Sequence, residues 1–479
     1  MSNALKYTIR FTTYLLWALM IPGVAYLASL DFKISVALVG GIVGLGVVAL
    51  CLLNFKLGYY IYITITLILP MLEKLYGTQI SGGVVMDLLL LCTLAGSIFD
   101  QRKTGIKKIQ WGKDPYLICT YLYILALMIQ IANPYGANIF AWLFFMRVVL
   151  RAYIFLYLGL RVFSNREDVK TFFKYWLTIC TLAAIYACIQ QHYALLPFER
   201  AFAAKYPELF KTTIILAGIR IFSFMSDAAA FGIIMACNIV VIAILLTAKF
   251  ATIGISRKLL LLVSLALHFL ALGYSGTRTG YVMVPVGMML FFLANMQKRN
   301  TILIAMGASL VALVILFGPF HGNPTIVRVR TAFLGKKQDA SMDVRDENRH
   351  KVQPYIYSHP IGGGVMTTGV NSLKFHRGHQ NANVQTDNGY LRAALETGWL
   401  GVLMLVAQFF FLIRMGVRNF FRLENELDKL FMIGIAAAIF EISLAQYTQE
   451  ASTLIESSIM YNAFIAILLK MKYLYTLNA

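Results

Sequence analysis

Charged residues are scarce in this chain of 479 residues. They make up 13% of it, whereas hydrophobic residues make up 59% and the mean hydropathy is +0.71. Soluble globular domains carry about 25% charged and about 45–50% apolar residues. This composition excludes an ordinary soluble enzyme and indicates that most of the chain lies in lipid.

Acidic residues are the scarcer of the two charge types. The 42 Lys and Arg residues outnumber the 22 Asp and Glu residues, which gives a formal net charge of +20. Such an excess suits nucleic acid, anionic lipid or a phosphorylated substrate. In a chain with many membrane spans, the preference of cytoplasmic loops for Lys and Arg is the simplest explanation. We therefore expect membrane lipids, and no nucleic acid, among the partners.

Cysteine gives no sign of a metal centre. The six cysteines all lie within apolar runs, and none has CxxC or Cys/His ligand spacing. We expect them to be packed inside the protein or to face lipid.

Hydropathy predicts an all-α polytopic membrane protein with about 14 transmembrane helices. Apolar runs of about 20 residues can cross the roughly 30 Å hydrocarbon core as helices, and these runs lack the alternation of a membrane β-barrel. The predicted spans are 11–30, 34–53, 57–72, 83–99, 115–132, 139–160, 171–192, 226–248, 259–274, 280–296, 301–318, 390–413, 430–447 and 453–470. The predicted regions are 1–114 with helices 1–4, 115–318 with helices 5–11, 319–389 as a large outer loop, and 390–479 with helices 12–14 and the tail.

Lys and Arg mark one side of the membrane as cytoplasmic. With the N-terminus inside, the even-numbered connections hold most of the cations, among them Lys56, Arg102, Lys103, Lys107, Lys108, Lys113, Arg161, Arg166, Lys170, Lys249, Arg257, Lys258, Lys298, Arg299, Arg414, Arg418, Arg422 and Lys429. This bias places both termini inside. Two long connections, 193–225 and 319–389, then face outward.

The longer outer connection is itself basic. Its cations are Arg328, Arg330, Lys336, Lys337, Arg345, Arg349, Lys351, Lys374 and Arg377. Long loops are exempt from the charge rule that sets topology. An anionic ligand outside the membrane is one explanation of this charge, with Arg345 and Arg349 as candidate binding residues.

Two short motifs place an arginine on the outer face. GIRIFSFMSDAAAFG holds Arg220 and Asp227 just before an apolar run, and YSGTRTGY holds Arg278 between Gly276 and Gly280. Glycine allows a sharp turn and a close approach to a ligand, and the guanidinium fork matches phosphate oxygens. These residue types predict a phosphate site, although an arginine in such a turn could equally reach lipid headgroups.

The end of the longer loop concentrates groups that can accept a proton. They are His350, His359, His376, His379 and Asp387, and Asn388 could orient one of them. His376 and His379 lie three residues apart with no carboxylate or cysteine partner nearby, which argues against a metal site. Solvated loop histidines are the alternative interpretation.

Two further arginines, Arg147 and Arg151, stand one helical turn apart within a predicted span. A central arginine costs about 2.5–3.5 kcal/mol on insertion scales, so a partner or the membrane interface must offset it. Asp87, Glu441 and Glu456 are candidate partners. We interpret the pair as structural, because the inferred chemistry lies at the opposite face.

Four stretches of the sequence carry a family resemblance. They are R-I-F-S-x-x-x-D-A-A-x-F-G at 220–232, S-G-T-R-T-G at 275–280, S-H-P-I-G-G-G at 358–364 and T-D-N-G-Y-L-x-x-x-x-E-T-G-W-L-G at 386–401. Together they resemble the O-antigen ligase and polymerase superfamily of bacterial envelope glycosyltransferases. Their order, their spacing and the large outer loop agree, and the similarity spans roughly residues 115–470.

The resemblance implies a multi-helix glycosyltransferase of the C type in the bacterial inner membrane, with its active site facing the periplasm. It would use an undecaprenyl-diphosphate-linked oligosaccharide as donor, a glycan or lipid-linked acceptor, and no metal or other cofactor. Arg220 and Arg278 would hold the diphosphate. The first outer connection, 31–33, has no room for the acidic metal-binding loop of other C-type enzymes, so guanidinium groups would replace the metal ion.

The last motif bears on the type of reaction. The ligase branch commonly has a histidine where this chain has Asp387, directly before Asn388. This departure favours a polymerase, with a chain-length regulator as a candidate partner, over a ligase that passes the glycan to a lipid A core or a protein. Asp387 would accept the hydroxyl proton, or His379 would act from eight residues upstream.

A lipid-linked oligosaccharide flippase, or another transporter, is the rival from a different class. It would also have many spans and buried cations. The repeat symmetry and interrupted helices of such transporters are not evident in the sequence, and the basic outer loop fits surface chemistry better.

Overall fold

Helices account for nearly all of the regular secondary structure, as the apolar runs predict. The computed structural model describes residues 22, 26, 32–77, 82–100, 109, 111–206, 214–215, 218–320, 322, 324–334 and 340–475. The predicted span 11–30 falls outside this part of the chain except at positions 22 and 26.

Seventeen helices follow one another along the described part of the chain. They are α1 Phe32–Leu53, α2 Phe55–Tyr76, α3 Gly82–Phe99, α4 Pro115–Ile129, α5 Ile139–Val162, α6 Arg166–Tyr193, α7 Pro197–Lys205, α8 Ala228–Leu246, α9 Ile255–Ser275, α10 Arg278–Ala294, α11 Arg299–Phe317, α12 Pro324–Leu334, α13 Ala340–Ser358, α14 Ser372–Phe375, α15 Gly389–Arg422, α16 Glu426–Ala445 and α17 Ile455–Tyr475. A 3-10 turn, Gln130–Ala132, extends α4. Two short antiparallel strands, β1 Ile214–Ile215 and β2 Gly218–Ile219, form a hairpin before α8.

Eight of the described helices are long and apolar enough to cross a membrane. They are α2, α3, α4 with its 3-10 extension, α5, α6, α8, α9 and α15. Shorter apolar helical stretches cover Gly40–Leu53, Arg278–Ala294 and Thr301–Phe317. The prediction of an all-α, multi-pass membrane protein is confirmed, whereas the total of 14 crossings stays a prediction.

The chain divides into two compact units. The first comprises residues 1–62 and 85–101, and the second comprises residues 63–84 and 102–479. Within the first unit, a Cβ atom on Gly96 would lie 2.5 Å from the carbonyl oxygen of Leu52, so glycine allows α1 and α3 to pack closely. The candidate site described below lies wholly in the second unit.

Helix α8 is the core of the second unit. Its sequence is apolar on every face, and its side chains are buried on nearly all sides. A helix of that kind must be surrounded by other helices, and α8 contacts α9, α10 and α16. The start of α8, the end of α9 and the start of α10 carry the candidate site.

The predicted outer loop 319–389 is partly helical. It contains α12, α13 and α14, and α13 packs on the start of α15 through Val352, Tyr355 and Ile356. These three residues have the i, i+3, i+4 spacing of one helix face. Because the rest of α13 is polar, hydropathy gave no sign of a helix docked against the protein.

The intramembrane arginines do not pair with the two glutamates proposed from sequence. Nη2 of Arg151 donates a hydrogen bond to the carbonyl oxygen of Gly83 (3.3 Å). Both carboxylate oxygens of Glu441 are buried without a hydrogen-bond partner among the described residues. Glu456 of α17 accepts a hydrogen bond from the backbone N–H of Ser226, which lies in the loop before α8. The sequence could not show which helices are neighbours, so it could not show which carboxylate lies near the two arginines.

Candidate functional site

Arg220 lies over the turn that leads to Arg278. Its Nε donates a hydrogen bond to the carbonyl oxygen of Ser275 (3.3 Å), and its Nη2 donates to Oγ1 of Thr277 (3.4 Å). The structure therefore brings the two arginine motifs together at the point where α9 ends and α10 begins.

Small residues allow this close approach. A Cβ atom on Gly232 would lie 2.5 Å from Oγ1 of Thr277, and that hydroxyl donates to the carbonyl oxygen of Ala228 (2.7 Å). Gly276 ends α9 with a φ of +60°, a conformation that favours glycine. Asp227 caps α8 by accepting from two backbone N–H groups (2.6 and 2.9 Å). The motif residues thus fix the two helix starts against each other.

A third arginine, Arg328 of α12, reaches the same turn. Its Nη1 lies 2.7 Å from the position that a Cβ atom on Gly276 would occupy, so a larger residue there would displace this guanidinium. We call Arg220, Arg278 and Arg328 the arginine cluster. Sequence reasoning counted Arg328 only among the loop cations, because its place depends on how α12 docks.

The electrostatics of the arginine cluster favour an anionic ligand. Burial lowers the pKa of Arg220 most, the carboxylate of Asp227 opposes this effect, and the nearby cations Arg328 and Arg278 lower the pKa further. Like charges held together at a partly buried place repel one another. A bound anion would relieve this repulsion and use the guanidinium donors.

Asp387 and Asn388 lie at the start of α15. Oδ1 of Asn388 accepts hydrogen bonds from the next two backbone N–H groups of the helix (2.9 and 3.0 Å), so this side chain is an N-cap. The N–H of Gly389 donates to the carbonyl oxygen of Gln446 (2.8 Å). The helix start, including Asp387, is therefore tied to the segment that follows α16.

That segment also contacts the arginine-bearing turn. Oγ1 of Thr448 lies 2.8 Å from Oγ1 of Thr279, the residue after Arg278. In addition, Nη1 of Arg349 donates to the hydroxyl of Tyr447 (2.8 Å). These contacts bring the start of α15, Arg349 and the second motif to one region. The side chain of Arg345 lies outside the described part of the structure.

His379 belongs to a different pocket. This open pocket has a volume of about 650 Å³, and we call it the histidine pocket after its ring-bearing residues Tyr135, Tyr355, His359, His376 and His379. Tyr355 stacks on His359 with ring centroids 3.9 Å apart. The pocket adjoins the loop between α4 and α5, and it holds most of the histidines that sequence reasoning singled out.

Hydrogen bonding leaves His379 little capacity as a base. Its Nδ1 accepts from the N–H of Asn381 (3.0 Å), and its Nε2 lies 3.2 Å from the hydroxyl of Tyr355. Burial lowers the pKa of His379, and the neighbouring His376 and His359 lower it further. A neutral ring whose Nδ1 accepts carries its hydrogen on Nε2, so neither nitrogen keeps a free lone pair.

The S-H-P-I-G-G-G stretch packs against a break in α15 and stabilises it. The helix is interrupted at Gly398, where φ is +70°. The N–H of Gly363 donates to the carbonyl oxygen of Leu395 (2.7 Å), and a Cβ atom on Gly362 would lie 2.6 Å from the backbone of Glu396. The glycines thus let a loop satisfy carbonyl groups that the break leaves without a helical partner.

The site offers groups suited to anions. The polar groups around the turn include guanidinium, hydroxyl and backbone groups, which bind phosphate oxygens well, and the carboxylate of Asp227 lies near Arg220. Within the described ranges, no three His, Cys, Asp or Glu side chains lie close enough to hold a metal ion.

Residues 263–406 match the family model for O-antigen ligase. This segment is similar to an O-antigen ligase domain. It contains Arg278, Arg328 and Asp387, whereas Arg220 lies before it. The match confirms the resemblance to the O-antigen ligase and polymerase superfamily, and it indicates a glycosyl-transferring membrane enzyme with lipid-linked glycan substrates. A search of curated proteins gave no match.

Gly362→Ala is expected to destabilise the protein by about 3–5 kcal/mol. The backbone of Gly362 has a left-handed φ (+78°), which disfavours alanine, and the added Cβ atom would overlap the backbone of Glu396. Gly369→Ala is the matched control. Gly369 has a similar φ (+70°) but nothing within 4 Å, so the substitution should cost only about 1–2 kcal/mol. Thermal unfolding in detergent micelles measures both, and equal losses would contradict the close packing of the loop on α15.

Proposed function

We propose that the protein transfers or polymerises undecaprenyl-diphosphate-linked glycan units at the periplasmic face of the bacterial inner membrane. The observation that supports this proposal is the convergence of Arg220, Arg278 and Arg328 on one turn beside the start of α15. The diphosphate is the strongly anionic part of such a donor, and guanidinium groups pair with phosphate oxygens in a bidentate manner. The family match favours this enzyme over a flippase.

The proposed reaction is a displacement at the anomeric carbon of the donor sugar. The acceptor hydroxyl oxygen forms a bond to this carbon while the bond from the carbon to the diphosphate oxygen breaks. The electron pair leaves with the diphosphate, and the arginine cluster stabilises the charge that develops there. Fixed cations can supply the stabilisation that a metal ion provides in other enzymes, so the proposed reaction uses no metal.

We propose that Asp387 accepts the proton of the acceptor hydroxyl. The start of α15 is tied through Gln446 and Thr448 to the turn beside Arg278, and this connection supports a carboxylate close to the proposed diphosphate site. An ionised carboxylate has about four acceptor positions, so it can accept a proton even when it makes another contact. His379 is the weaker candidate, because both ring nitrogens are engaged in the histidine pocket.

Alanine in place of Arg220 or Arg278 should lower glycan transfer by about a hundredfold to a thousandfold, because each change removes a donor that stabilises the leaving diphosphate. Lys351→Ala is the matched control. Among the residues that the structure describes, this exposed lysine of α13 pairs only with Glu347 one helical turn away, so its loss should be nearly neutral. Polymer length on cells with equal protein levels measures the effect. Normal polysaccharide with both arginine variants would reject the role of the cluster.

Asp387→Asn should lower transfer by about a hundredfold or more while it spares donor binding, since the amide keeps the size of the side chain but cannot accept the proton. His379→Gln should leave transfer close to that of the unaltered protein. Purified enzyme with a lipid-linked donor allows binding and transfer to be measured separately. If the His379 variant loses transfer and the Asp387 variant retains it, the two assignments must be exchanged.

We propose a polymerase rather than a ligase, because Asp387 stands where the ligase branch commonly has a histidine. Deletion of a polymerase should leave single repeat units on the acceptor, whereas deletion of a ligase should leave none. Electrophoresis of the surface glycan from a deletion strain distinguishes the two. An acceptor without any repeat unit would establish the ligase instead.

A further inference from the structure

The far end of α15, opposite the start that carries Asp387, presents a row of cations. Arg414, Arg418 and Arg422 are spaced four residues apart, so they lie along one face of the helix. All three are exposed. None of them makes a hydrogen bond or an ion pair with any residue that the structure describes. The helix therefore presents three aligned guanidinium groups, and none of them has a protein partner in the described ranges.

A small groove runs beside this row. It lies between the start of α4, the end of α15 and the end of α17, and it has a volume of about 50 Å³. Its lining includes the three arginines together with Asp114, Asn419 and Lys472. We call it the arginine groove. It is separate from both the arginine cluster and the histidine pocket.

The one carboxylate in the arginine groove is already engaged. Oδ2 of Asp114 accepts hydrogen bonds from Lys472 and from the hydroxyl of Tyr473 (3.0 Å). Its Oδ1 accepts from the N–H of Tyr116 (3.0 Å) and caps α4. Asp114 therefore has little left with which to neutralise the arginines, and the groove keeps a net positive charge.

Asn419 provides an independent sign of a ligand. This side chain lines the groove, its residue is only 6% exposed, and its Nδ2 has no hydrogen-bond acceptor among the described residues. A buried donor without an acceptor is unfavourable. The preference of cytoplasmic loops for cations explains arginines at this end of the helix, but it does not explain a buried amide that lacks an acceptor.

We propose that the arginine groove binds the phosphate group of an anionic membrane lipid. Arg414, Arg418 and Arg422 face the phosphodiester from one side of the groove, and the amide of Asn419 donates to one of its oxygens. The same chemistry would accept a free phosphate ion. Two exposed aromatic side chains on the same helix end, Phe410 and Phe421, provide an apolar surface for acyl chains, and this surface favours the lipid. Basic pockets between transmembrane helices commonly bind such headgroups.

The test is native mass spectrometry of the full-length protein in neutral detergent, titrated with phosphatidylglycerol, with phosphatidylcholine or with inorganic phosphate. Phosphatidylglycerol should bind in preference to the other two. The triple change Arg414→Gln, Arg418→Gln and Arg422→Gln should lower the affinity for phosphatidylglycerol roughly a hundredfold, since each cation near an anionic lipid contributes about fivefold.

The matched control removes three cations that the sequence places on the same side of the membrane, through Lys249→Gln, Arg257→Gln and Arg299→Gln. These residues are exposed and do not line the groove. The control should retain phosphatidylglycerol binding. An equal loss in both triple variants would mean a general effect of surface charge and would overturn the proposal.

Asn419→Leu tests the contribution of the amide to lipid binding separately from that of the arginines. It should lower the affinity for phosphatidylglycerol by about tenfold, because a hydrogen bond to a charged group is lost, and it should leave the melting temperature equal or higher. Unchanged binding in this variant would remove Asn419 from the site and overturn the proposed geometry. Inorganic phosphate that displaces the lipid at equal concentration would overturn the lipid as the ligand.

Discussion

The hydrogen bonds from Arg220 to the turn at Ser275 and Thr277 are the contact on which the candidate site depends. They connect the loop before α8 to the start of α10, and they bring like charges together at one place. A carbonyl oxygen and a hydroxyl accept hydrogen bonds from Arg220 and hold it over the turn. The carboxylate of Asp227 offsets part of the repulsion while it caps α8.

The sequence predicted the class of fold and part of the site. Apolar runs identified the helices, and the residue types around Arg220 and Arg278 indicated a shared phosphate site. It could not identify Arg328, because the place of that side chain depends on the docking of a helix inside a region expected to be a loop. Nor could it show that Nδ1 of His379 accepts from the backbone of Asn381, since that contact depends on the conformation of the loop. Local residue patterns predict local structure, and tertiary packing decides which groups remain available.

The conspicuous glycines of the later motifs have a structural function. They let the loop before α14 form hydrogen bonds with the backbone at the break in α15. A network of polar side chains strengthens this junction. Arg392 pairs with Glu396 (3.1 Å) and with Glu450 (2.5 Å), and Thr368 donates to Glu396 (2.6 Å). Burial raises the pKa of Glu450, whereas Arg392 counteracts this effect. The junction ties the part of α15 just before the break to the loop before α14.

The most direct test of the account is an experimental structure of the purified protein with a polyprenyl diphosphate bound. We predict that the diphosphate oxygens lie within hydrogen-bond distance of Arg220, Arg278 and Arg328, with Asp387 on the side from which an acceptor approaches the sugar. A diphosphate found in the histidine pocket, or anywhere that the three guanidinium groups cannot reach, would contradict it.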